Sequence, residues 1–123
     1  MEESILISTK QILGLAADYT VFDLDVLTHI NAAFFILNQL GVGPEEGFFV
    51  EDDTANWSDF ALLVGSEPSI SLIRTYIFLK VRMLFDPPQT SFLIEAMNNQ
   101  IKEYEWRLNV AREYVLPEEE SVP

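Results

Sequence analysis

The sequence predicts an all-α protein, a small helical bundle of about four to five helices with a long central loop and a long C-terminal helix. Three observations carry this. Apolar residues recur at helical spacing through most of the chain, glycines and prolines fall where those segments should stop, and residues 94–115 carry an unbroken heptad seam. With 123 residues, 49% of them hydrophobic, the chain suits one helical domain over residues 1–115 and an acidic tail over 116–123.

The first helix is expected from Ser4 to Leu13, ended by Gly14 as a C-cap, with Leu6, Ile12, Leu13 and Leu15 as its apolar side. Thr20-Val21-Phe22-Asp23 opens the second, either as a capping box or with Asp23 itself as the cap. That helix runs to Leu40 and stops at Gly41. Leu27, Ile30, Phe34 and Leu37 form its stripe, and Val26, Ala33 and Leu40 widen it.

Residues 41–67 form the long loop, starting with the turn cluster Gly41-Val42-Gly43-Pro44. Gly47 to Val50 reads as a short strand, and Asn56 to Leu63 as a short helix with Trp57 and Phe60 turned inwards. A connection this long favours a functional loop or a subunit contact. Pro68 occupies a first helical position, and the fourth helix then runs to Phe85. Its apolar residues go nearly all the way round, as in a central helix packed on both sides.

Pro87-Pro88 ends that helix, because two successive prolines remove two backbone donors and fix φ. Thr90 or Ser91 caps the last helix. Ile94, Met97, Ile101, Tyr104, Leu108, Ala111 and Val115 then follow a 3-4 alternation with no Gly or Pro before Pro117. A helix of about 25 residues is about 38 Å long. That exceeds what a small core needs, so the seam is expected to reach a partner.

The net charge is −13, which argues against specific nucleic-acid binding. The charge is also uneven. Between Lys10 and Arg74 lies no other Lys or Arg, whereas Asp18, Asp23, Asp25, Glu45, Glu46, Glu51, Asp52, Asp53, Asp59 and Glu67 all do. The front half therefore repels polyanions, and the back half is closer to balanced. An acidic surface is also an ordinary solubilising device. The acidic N-terminus Met1-Glu2-Glu3-Ser4 lacks the basic region of a signal peptide, and no apolar run approaches a membrane span. A soluble protein made inside a cell is expected.

Chemistry is sparse. Without cysteine there is no disulfide or thiolate zinc site. His29 is the sole histidine and sits within a helix, so no nucleophile–base pair of the usual kind can form. Asp52-x-Thr54-x-Asn56-x-Ser58 echoes a calcium loop but lacks its turn glycine, and Leu63 stands where the closing glutamate belongs. No enzyme activity, metal or cofactor is expected. The aromatics say more. Phe34, Phe35, Phe48, Phe49, Trp57, Phe60, Phe92 and Trp106 are among more rings than a small helical domain comfortably covers. They either pack within the chain or serve a subunit interface, where Trp and Tyr are enriched.

Several segments carry a family likeness: Ser8-Thr9-Lys10-Gln11-Ile12-Leu13-Gly14-Leu15, then Phe22-Asp23-Leu24-Asp25, then His29-Ile30-Asn31-Ala32-Ala33. The back half adds Thr75 to Pro88, Ser91 to Asn98 and Glu105 to Asn109. Together they resemble the head–tail connector, or adaptor (head-completion), proteins of long-tailed double-stranded DNA bacteriophages, from Ile5 to Arg112. The resemblance implies a virion protein of the neck, assembled in the host cytoplasm. Twelve copies would form a ring beneath the portal, extend the DNA channel without binding DNA specifically, and dock the stopper or tail-completion protein. It implies a portal interface at Trp106, Arg107, Val110, Tyr114 and Leu116, with the stub to Pro123. It implies ring or tail contacts at Phe48, Phe49, Glu51 and Trp57. The charge alone leaves a second function open: a small acidic regulator that mimics DNA and occupies a basic groove of a nucleic-acid-binding protein.

Overall fold

A computed structural model describes residues 3–64 and 67–120, with the side chains of 64, 67–69 and 111–120 left aside. Five helices are present: α1 (Ile5–Ile12), α2 (Asp23–Gln39), α3 (Trp57–Val64), α4 (Glu67–Phe85) and α5 (Ser91–Glu120). No strand occurs among the described residues, so the fold is all-α as the periodicity predicts.

Helix α4 is the hub. It packs against α1, α2, α3 and α5, which explains why its apolar residues go round the helix. Ile73, Tyr76, Ile77 and Val81 are fully buried there. Helix α2 covers one side of α4 with Val26, Ile30, Ala33, Phe34 and Leu37. Helix α5 covers another side, and the Tyr76 hydroxyl crosses to it, donating to Glu105 Oε2 at 2.8 Å.

The heptad seam is therefore used inside the chain. Ile101 and Leu108 are buried and Tyr104 packs on the core, all against α4. This corrects the expectation that the seam seeks a partner: α4 presents an apolar side that one further helix completes. Each fully buried seam side chain contributes about 1.5–3 kcal/mol. Ala111 and Val115 lie outside the described side chains. The backbone of α5 stays helical through Pro117 to Glu120, beyond the boundary expected at residue 115.

Local signals set the helix ends. Ser4 Oγ accepts the Ile7 N–H at 3.2 Å, and Thr90 Oγ1 accepts the Leu93 N–H at 3.3 Å. Gly14 and Gly41 follow α1 and α2 with φ of 83° and 84°, the left-handed conformation that ends a helix. The expected cap on α2 does not form. Phe22 occupies the N-cap without a side-chain bond, because Asp23 is engaged by Lys10 instead.

Helix α1 also buries a different side from the one expected. Ile12 is half exposed, whereas Ile5, Leu6, Ser8, Thr9 and Lys10 are buried. Three polar residues can go inside because each finds a partner. Thr9 and Ser8 donate to the Ile5 carbonyl, and Ser8 Oγ also accepts the Trp57 indole N–H at 2.8 Å. Lys10 Nζ lies 2.7 Å from Asp23 Oδ1 and donates to the Ala17 carbonyl at 3.1 Å. The Lys10–Asp23 contact is an ion pair without hydrogen-bond alignment, so Coulomb attraction and the Ala17 bond carry the buried ammonium.

Candidate interaction surfaces

The loop between α2 and α3 is irregular in path but firmly attached. Asn31 and Asn38 stand seven residues apart on α2, on one face of the helix. The Asn31 amide donates to the Val50 carbonyl at 3.0 Å and accepts the Val50 N–H at 2.7 Å. One side-chain amide thus satisfies the backbone groups that a neighbouring strand would otherwise pair, and the short strand expected over residues 47–50 does not form. Asn38 Nδ2 donates to the carbonyls of Pro44 and Glu45. At the far end Ile5 N–H bonds Ala55 O at 2.9 Å and Trp57 N–H bonds Glu3 O at 3.0 Å.

Aromatic packing fixes the same loop from beneath. Phe34 lies 5.1 Å from Phe48 and 5.0 Å from Phe60, measured between ring centres. Gly43, at φ 94°, would bring a Cβ within 3.1 Å of the Phe60 ring, so any side chain there would be both strained and crowded. The Arg74 guanidinium sits 5.2 Å from the Trp57 ring centre and pairs with Glu3 at 2.9 Å.

The four residues expected at ring or tail contacts accordingly separate. Trp57 is buried, with its indole N–H bonded to Ser8, and Phe48 packs against the core. Phe49 is 68% exposed, and Glu51 is exposed beside it. Phe48 thus turns in and its neighbour Phe49 turns out. Hollows lie on either side of Phe49. One, of about 460 Å³, is lined by Thr28, Asn31, Ala32 and Phe35 with residues 46–49. The other, of about 320 Å³, is lined by Leu24, Leu27 and residues 49–51. Leu24 and Phe35 are both largely exposed. The sequence did hold a signal for Phe35: it lies off the stripe of Leu27, Ile30, Phe34 and Leu37, on the side away from Ala33.

A second surface lies on α5. Trp106 is 65% exposed, Val110 is partly exposed, and Arg107 pairs with Glu103 at 2.7 Å on the surface. Phe92, largely exposed, shares their face, opposite the buried seam. Tyr114 and Leu116 lie outside the described side chains.

No group of His, Cys, Asp and Glu that could hold a metal ion occurs among the described residues. The carboxylates of the calcium-loop echo have structural work. Asp52 accepts the Thr54 hydroxyl and N–H, which hold its carboxyl below the usual range. Asp59 accepts the Asn56 N–H at 2.9 Å and caps α3. His29 packs edge-on to Phe85 at 6.4 Å. No helix among the described residues is long and apolar enough to cross a membrane.

A comparison with known families decides the assignment: the family described as phage connector protein matches residues 5–115. The chain belongs to the phage connector protein family. The match spans α1 to α4 and most of α5, so both exposed surfaces fall within it. No curated protein and no solved structure matches the chain. Membership makes this a bacteriophage virion protein of the head–tail connector kind.

Proposed function

We propose that the chain is a structural, non-enzymatic head–tail adaptor that forms a ring beneath the portal, in the virion neck. The ring, of twelve copies, extends the DNA channel and docks the stopper or tail-completion protein. One observation carries the reading: the connector family match runs through the helical domain. The two unpartnered apolar surfaces support it, because a subunit of a closed ring buries surface on two sides. The acidic front half suits a channel wall past which a polyanion slides without sticking.

The portal contact falls towards the C-terminal end of α5, where Tyr114 and Leu116 follow the exposed Trp106, Arg107 and Val110. Phe49 and Glu51 serve ring or tail contacts, with Phe48 and Trp57 supporting them from within. The test is quantitative mass spectrometry of purified virions, counting this chain against the portal protein. A ratio near one per portal subunit is expected. Absence from mature particles refutes the reading and favours the acidic regulator.

A further inference from the structure

The two exposed surfaces lie on different sides of the molecule, because α4 separates α2 from α5. On α2 and the loop, Phe49 stands between two mainly apolar hollows rimmed by Glu46 and Glu51. The α5 face carries an aromatic anchor, Trp106, with Arg107 and Lys102 beside it. Lys102 pairs with no carboxylate among the described residues.

We infer that these surfaces bind each other between copies, the α5 face around Phe92, Lys102 and Trp106 of one chain seating in the α2–loop groove of the next, which leaves the end of α5 beyond Val110 for the portal. Charge selects this pairing. Groove against groove would oppose Glu46 and Glu51 with their own equivalents, which electrostatics disfavours. The α5 face, with Glu103 paired to Arg107 and the exposed Glu95 offset by Lys102, is close to neutral and brings an aromatic side chain to an acidic apolar groove. A contact between two different patches is heterologous, so it propagates from copy to copy until it closes. The inference rests on the ring reading only for that closure.

Two exposed substitutions test it in the purified protein by sedimentation velocity. Phe49→Asp spoils the groove and keeps the α5 face; Trp106→Asp does the reverse. Each alone should weaken self-association about thirtyfold or more, as for a central aromatic contact. An equimolar mixture should form one heterodimer and nothing larger, because each variant retains the surface the other lacks. Circular dichroism should show both variants folded, since neither side chain is in the core. If the mixture stays monomeric, if either variant associates like the parent, or if the parent itself is monomeric when concentrated, the pairing is wrong. None of these results depends on the virion count, so the pairing and the connector role can fail separately.

Discussion

Residues 41–56 have no repeating backbone pattern, yet side chains from α2 and the aromatic core, and the backbone of the N-terminal segment, fasten them at several points. Helix α5 is a continuous 30-residue helix, yet its principal packing is a single seam against α4. Regularity and attachment are thus separate properties here. The loop is ordered by tertiary hydrogen bonds and can present Phe49 at a fixed place. The helix satisfies its own backbone and can leave a face of Phe92, Trp106 and Val110 open to solvent.

If that contrast is right, the largest losses of stability come from the front half. Lys10→Ala strands Asp23 and frees the turn from Ala17, and should cost about 3 kcal/mol, near the low end for a buried pair because Asp23 is partly exposed. Urea denaturation measures this, and the loss should change little with salt because the ammonium is buried. Asn31→Ala leaves both backbone groups of the buried Val50 without their partners. It should cost about 2–3 kcal/mol and open residues 41–56 to limited proteolysis, leaving α5 resistant.

The α4–α5 seam should respond less. Tyr76→Phe removes a hydrogen bond to a carboxylate and should cost about 1.5 kcal/mol. Burial, then the hydrogen bond and negative charge of Glu105, push the Tyr76 phenol well up. The folded state therefore keeps that proton above about pH 10, where the unfolded chain loses it. The resulting stability is complete below about pH 10 and declines as pH rises further. Alkaline absorbance titration of the native protein should fall short of the unfolded chain by one tyrosinate, and Tyr76→Phe should remove the shortfall.

The open face of α5 should matter least to folding. Trp106→Ser and Phe92→Ser should each change stability by less than about 0.5 kcal/mol in thermal denaturation. A large loss at either position would mean that the outer face packs within the chain, and the contrast between loop and helix would fail. On the loop, Thr54→Val should raise the Asp52 titration, as followed by NMR, because the hydroxyl holds that carboxyl down.

The sequence by itself determined the five helices and most of their ends. Gly14, Gly41 and the pair Pro87-Pro88 stop the chain for local steric reasons, and Thr90 caps α5 with its own side chain. It also identified the buried side of α2 and the seam of α5, because periodicity is a property of one helix. It could not assign that seam its partner: α4 and a second chain offer the same kind of apolar surface. Nor could it separate Phe48 from Phe49, or supply the partners that hold the inward-turned Trp57, since those outcomes depend on Phe34, Ser8 and Arg74 arriving from distant parts of the chain. Only the tertiary structure paired Lys10 with Asp23 and Asn31 with Val50, contacts between residues 13 and 19 positions apart. Those positions carry no local signal, because a polar side chain goes inside only where the fold brings it a partner.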